Sequence, residues 1–140
     1  MENTFSYAFN LLGRLISFKT DVKEKRYADC AWFLEKEARS IGLEVEVYDS
    51  ERMAKDGISR PNLLVKLDAG KPKTILWVTH YDVVPAGKGW RRNPYSMTVE
   101  GEKLYGRGAV DDKGCIAASL AALRELSKAE DLEFNIHLLI

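Results

Sequence analysis

The amino-acid sequence predicts an α/β domain with a mixed, mainly parallel sheet flanked by helices. Two apolar patterns of helical period open the chain, strand-like runs then alternate with turns and a further helical segment, and the run at 74–79 is apolar almost without interruption. Elements in that alternation bury their apolar faces by laying helices on a sheet.

Phe5, Phe9, Leu12, Leu15 and Ile16 recur at helical spacing, which predicts an amphipathic helix over about 3–17. Asp21 reads as the cap of a second helix, in which Tyr27, Ala31, Leu34, Ala38 and Ile41 share a face and which Gly42 ends. Leu43, Val45 and Val47 alternate with Glu44, Glu46 and Tyr48, the pattern of a half-buried strand near a sheet edge. A polar loop containing Asp56, Gly57 and Pro61 leads to a strand at 62–67, and the turn at 68–73 leads to the apolar run, which predicts a central strand covered on both faces. Residues 86–103 are turn-rich, with a short hairpin expected near 97–104. A long helix follows over 116–126, and 134–140 reads as another central strand. Trp32 and Trp77 are core by pattern, Trp90 and Tyr95 pack within loops, and His137 reads as a satisfied sheet residue rather than a ligand.

Lysine plus arginine and aspartate plus glutamate both number 21, so the chain carries no electrostatic footprint for nucleic acid or an anionic membrane. The run Lys23, Glu24, Lys25, Arg26 is a solvated face. No apolar run approaches the roughly 20 residues that span a bilayer, and the start lacks a basic segment and a small-residue cleavage site. A cytoplasmic location is the expectation. Two cysteines are too few for a secreted disulfide framework. Cys30 and Cys115 are expected to be buried reduced thiols, with slight reactivity left to Cys115 because a helix N-terminus lowers a thiol pKa.

Chemistry concentrates in two blocks. The first runs His80-x-Asp82-Val83-Val84-Pro85, and the second runs Leu104-Tyr105-Gly106-Arg107-Gly108 through Asp111-Asp112-Lys113-Gly114. Imidazole and carboxylate are ligand types of a catalytic zinc ion. Residues two apart project to one side where a strand leaves its sheet, so Asp82 can hold one nitrogen of His80 and present the other to a metal. Alone, that pair would better suit a strand-end histidine bonded to a capping aspartate, and the second block shifts the reading to a metal site. Gly106 and Gly108 supply the backbone freedom that a sharp path to Asp111 requires. Asp112 is a helix cap or a neighbour of the site, and Arg107 is open to two readings, a substrate-carboxylate contact or a structural salt bridge.

With Trp90 and Pro94-Tyr95 between them, these blocks resemble the zinc-dependent metallopeptidase and deacylase family of succinyl-diaminopimelate desuccinylase, acetylornithine deacetylase, aminoacylase, carboxypeptidase G and the carnosinase-like dipeptidases. The resemblance implies that His80 binds one metal ion, that Asp82 is the catalytic-site residue orienting it, and that Asp111 bridges two zinc ions, for which cobalt or manganese can substitute. It also implies a cis peptide between Asp111 and Asp112. The family's remaining ligands and its general-base glutamate lie beyond the strand at 134–140. Residues 1–140 are accordingly expected to form the N-terminal part of a zinc-exopeptidase-like catalytic domain, with the rest of that domain and a second lid or dimerisation domain absent.

The implied function is hydrolysis of an amide bond in an N-acyl amino acid or small peptide, with a desuccinylase or acetylornithine deacetylase-like deacylase favoured and this chain alone inactive. The alternatives are a carnosinase-like dipeptidase or carboxypeptidase, and a non-catalytic binding or regulatory relic. The expected partner is a small-molecule substrate, with no nucleic acid or membrane, and self-association through a bare sheet edge at 134–140.

Overall fold

The computed structural model describes residues 3–49 and 55–140. Helix α1 spans Thr4–Ser17 and starts where the Asn3 side chain accepts the Ser6 N–H at 2.8 Å, satisfying one of the free donors of the first turn. Its buried stripe is Tyr7, Leu11, Leu15 and Ile16. Phe5, expected on that stripe, is 77% exposed and stacks on Phe9. The stripe is thus rotated by part of a turn, since Phe5 and Tyr7 lie on different faces of one helix.

Helix α2 spans Tyr27–Ser40 and buries Tyr27, Cys30, Ala31, Leu34 and Ala38. Asp21 does not cap it: the Asp21 carboxylate accepts the N–H groups of Lys23 and Glu24, closing a separate turn, and Arg26 stands at the helix start without a side-chain cap. The sequence shows a capping residue but not which of two nearby turns it closes. Trp32 is 45% exposed rather than core, because it lies off the Ala31, Leu34, Ala38 face. Gly42, at φ 87°, ends the helix region as expected.

Strands β1 (Glu44–Tyr48), β2 (Asn62–Leu67) and β3 (Thr74–Val78) follow, then the hairpin β4 (Thr98–Glu100) and β5 (Lys103–Tyr105), helix α3 (Lys113–Leu126) and strand β6 (Asn135–Leu139). The main sheet has the order β1-β2-β6-β3. It is mixed and flanked by helices as expected, with β3 parallel to β6 and the β1/β2 and β2/β6 pairs antiparallel, so the parallel share is smaller than the alternation suggested. Val45, Leu63, Val65, Ile136 and Leu138 pack into one core with the buried faces of the helices. Helix α1 runs along α3, and α2 lies against β1 and β2.

The strand at 134–140 is central, as expected, and the bare edge expected there is found at β3 instead. Among the described residues β3 is an edge strand, with Ile75 41%, Leu76 54% and Val78 66% exposed. A continuous apolar run reports that a strand prefers burial, not where in the sheet order it lies. Trp77 is partly buried against the core, and His137 sits in β6 with its Nε2 2.8 Å from Asp68 Oδ1, a satisfied sheet residue. Among the described residues no helix is long and apolar enough to cross a membrane.

Candidate metal centre

Strands β3 and β6 end side by side, and the Thr79 N–H reaches the Leu139 carbonyl at 2.9 Å. The chain then leaves the sheet at the carboxyl end of β3, the end where open α/β sheets place their ligands. His80 stands there, half-exposed. Its Nδ1 lies 3.1 Å from the Asp82 backbone carbonyl and 3.3 Å from the Asp82 carboxylate. Its Nε2 lies 3.0 Å from Asp111 Oδ1, so the structure brings together all three residues singled out in the sequence.

Asp111 arrives from the glycine-rich turn before α3. Gly108 has φ +82°, and a Cβ there would meet Val83 Cγ1 at 2.7 Å and Lys113 Cδ at 3.1 Å. Gly106 has no such φ; it is needed because a Cβ would meet the Ile16 side chain at 2.7 Å. One glycine serves a left-handed conformation, and the other serves close approach. The Asp111–Asp112 peptide is cis, as the resemblance implied. Asp112 precedes α3 without making a side-chain cap; its Oδ2 accepts the His80 N–H at 3.4 Å.

The geometry carries a charge argument. With Nδ1 facing acceptors on Asp82, a neutral His80 donates there and turns its Nε2 lone pair toward a carboxylate oxygen only 3.0 Å away. Two acceptors at that distance need a positive centre between them, either a proton or a cation. Donor atoms sharing one zinc ion lie about 3–3.6 Å apart, given metal–ligand lengths near 2.0–2.2 Å and angles from about 95° to the tetrahedral value. His80 and Asp111 therefore fit as two of a metal's ligands. Among the described residues no third histidine, cysteine or carboxylate joins them in a cluster.

Without a metal the proton takes that place. Partial burial works against a charged imidazole, but the hydrogen bond to Asp111 and the contacts with Asp82 outweigh it and raise the His80 pKa above 6.5. Since the folded value is the higher one, the ion pair stabilises the chain fully below the unfolded histidine pKa, and that contribution is lost as pH rises through the folded value. Urea denaturation of metal-free protein between pH 5 and pH 8 is expected to show this loss, absent in His80→Asn.

A cleft of about 360 Å³ opens beside the pair, lined by His80, Asp82, Trp90, Tyr105, Arg107 and Asp111 among others. Among the described residues Arg107 forms no salt bridge: its Nη2 donates to the Ala86 carbonyl at 3.3 Å, and its guanidinium lies 5.3 Å from the Trp90 ring centre. Trp90 donates to the same carbonyl at 2.7 Å and Tyr95 donates to Asp21, so both pack within loops. Cys30 is buried and its thiol is pushed up to about 12 by burial. Cys115, expected to be buried, is exposed, and its thiol is raised rather than activated, first by the hydrogen bond to Asp112 and then by partial burial and the nearby carboxylates.

Sequence reasoning missed Thr20 and Lys113, both fully buried beneath the site. Burial pulls the Lys113 ammonium down to about 8, and it donates to the Phe18 carbonyl at 2.7 Å. A buried lysine carries no periodic signal in a sequence; its place inside the second block was the only hint.

Residues 76–140 match the profile of peptidase family M20/M25/M40. A succinyl-diaminopimelate desuccinylase of Gluconobacter oxydans is 39% identical over 83 residues, which are 59% of this chain and 22% of the relative. Human carnosine dipeptidase 1 superposes with a TM-score of 0.80 at 26% identity, covering 95% of this chain and 31% of that one. An M20 family metallo-carboxypeptidase of Sulfolobus solfataricus superposes with a TM-score of 0.81 at 24% identity, covering 99% and 30%, and shares the fold. The chain thus spans less than a quarter of the desuccinylase and about a third of each solved relative. With both sequence blocks inside the matched residues 76–140, the chain is similar to peptidase family M20/M25/M40 in sequence over that stretch and in fold over nearly its whole length.

Proposed function

We propose that these residues form the N-terminal part of the catalytic domain of a metal-dependent hydrolase, one that cleaves the amide bond of an N-acyl amino acid or small peptide. The observation that carries this reading is the pair of acceptors, His80 Nε2 and Asp111 Oδ1, facing each other at 3.0 Å. A succinyl-diaminopimelate substrate, supported by the name of the Gluconobacter relative, or the related N-acyl amino acid acetylornithine is favoured. A dipeptidase is the second reading, supported by the likeness to carnosine dipeptidase.

His80 and Asp111 would hold the metal, with zinc as the resident ion and cobalt or manganese as substitutes, and Asp111 placed to bridge a second ion. A bound divalent cation would supply Lewis-acid polarisation of the amide carbonyl. Asp82 keeps Nδ1 engaged and so aims Nε2 into the cleft. Trp90, pinned through Ala86, lines the cleft. With two converging donors where catalytic zinc sites use three protein ligands, this chain alone is expected to bind metal weakly and not to turn over. The test is hydrolysis of N-succinyl, N-acetyl and dipeptide substrates by the full-length gene product. Cleavage of one class sensitive to chelation supports the reading, and no cleavage of any class favours a non-catalytic relic.

The bare β3 edge carries a further consequence. Because Lys73 and Thr79 turn their backbone groups toward β6, those of Thr74, Leu76 and Val78 face outward. Antiparallel pairing of β3 with β3 of a second copy, centred on Leu76, would satisfy these groups and cover the exposed leucine. The 140-residue chain is expected to sediment as a concentration-dependent dimer, and Leu76→Lys as a monomer; a wild-type monomer at high concentration would oppose the pairing.

A further inference from the structure

The two arms that meet at the candidate metal centre come from distant parts of the chain, and the hydrogen bonds from one to the backbone of the other are long side-chain contacts, Asp112 accepting the His80 N–H at 3.4 Å and Arg107 donating to the Ala86 carbonyl at 3.3 Å. Both are fastened more closely to the short turn after α1. The buried Thr20 hydroxyl donates to the Tyr81 carbonyl at 2.6 Å, and the Thr20 carbonyl accepts the Val83 N–H at 2.9 Å. Residues 81 and 83 flank Asp82 and follow His80, so these bonds grip the first arm on either side of Asp82. On the second arm, Lys113 reaches the Phe18 carbonyl at 2.7 Å, two residues after Asp111. The buried Asp21 of the same turn accepts the Tyr95 hydroxyl, tying in the loop whose Pro94 carbonyl accepts the Arg107 N–H at 2.6 Å.

We propose that Thr20 is a positioning residue: through the turn at 18–21 it holds the His80–Asp82 arm in register with the Asp111 arm, setting the separation of the two metal-facing atoms. Its consequence for metal binding rests on the metal-site reading above, whereas the clamp itself does not. A side chain that acts only by filling space would be replaced by any residue of similar volume; Thr20 needs its hydroxyl, because a buried Tyr81 carbonyl loses its partner without it.

Thr20→Val removes the hydroxyl at nearly constant volume, and Thr20→Ser keeps it. Val83 amide hydrogen exchange in metal-free protein reads the clamp, and zinc titration reads the alignment. Thr20→Val is expected to speed Val83 exchange at least about tenfold, with Val65 and Leu138 unchanged, and to weaken zinc at least about tenfold. Thr20→Ser is expected to stay within about twofold of wild type on both. If Thr20→Val does not fold, Thr20→Ala against Thr20→Ser isolates the same hydroxyl. Unchanged Val83 exchange in the variant lacking the hydroxyl overturns the clamp, and so does equal impairment in Thr20→Ser. Zinc affinity unchanged in that variant overturns the positioning role. Wild-type chain that takes up no zinc overturns the metal-site reading alone, and Val83 exchange still decides the clamp.

Discussion

Replacing His80 with Ala is expected to lower hydrolysis by the full-length gene product by more than about 100-fold, with the fold of the protein kept. The size follows from what is lost. Residues that only orient a metal ligand cost about 10–100-fold when removed, and His80 would be a ligand itself. Its side chain is half-exposed and packs little, so the loss is chemical rather than structural. Asp82→Ala is expected to fall within that 10–100-fold range, because Nδ1 keeps the Asp82 backbone carbonyl at 3.1 Å when the carboxylate at 3.3 Å is gone. Steady-state kinetics of both variants check the ranking. Equal loss in the two would make Asp82 more than an orienting group, and full activity in His80→Ala would remove the site assignment.

Gly108→Ala should be the most damaging small substitution near the site. The residue holds φ +82°, where a Cβ costs about 1–2 kcal/mol, and the added methyl would press on Val83 Cγ1 at 2.7 Å and the Lys113 stem at 3.1 Å. Overpacking of that kind costs about 1–3 kcal/mol, so a total loss of about 2–5 kcal/mol is expected in urea denaturation. Val83 belongs to the first arm and Lys113 to the second, so the methyl also wedges the two apart. Gly101→Ala is the control, since its φ of +58° brings the backbone cost with nothing within 4 Å of the new Cβ. A Gly108→Ala loss no greater than that of Gly101→Ala would show that the close approach of the arms carries no strain.

Much of this molecule was legible in its sequence because periodicity reports burial. The alternating Leu63 and Val65 of β2, the Tyr27, Ala31, Leu34 stripe of α2 and the hairpin near Met97 all follow from local pattern. Sheet order does not, which is why β3 was expected at the centre and lies at an edge among the described residues. The contrast is sharper at the site. His80, Asp82 and Asp111 were legible because the two blocks that carry them resemble a metallopeptidase family in residue type, order and spacing, and the structure places them within 3.3 Å of one another along the chain of contacts. What supports them was not. Thr20 acts on Tyr81 across 61 residues and Lys113 on Phe18 across 95, and no local pattern encodes a contact at that separation. Asp21 was noticed for the right chemistry, a carboxylate accepting backbone N–H groups, and assigned to the wrong turn.

The central claim is that His80 Nε2 and Asp111 Oδ1 are joint ligands of one cation, and calorimetric zinc titration of a double-mutant cycle tests it most directly. Wild type, His80→Ala, Asp111→Asn and the double variant are compared at one pH above the His80 titration, where the proton no longer competes for the imidazole. Joint ligation predicts that each single variant loses nearly all of the affinity and that the double variant loses little more. Independent, additive losses, or zinc binding unchanged in His80→Ala, would contradict it.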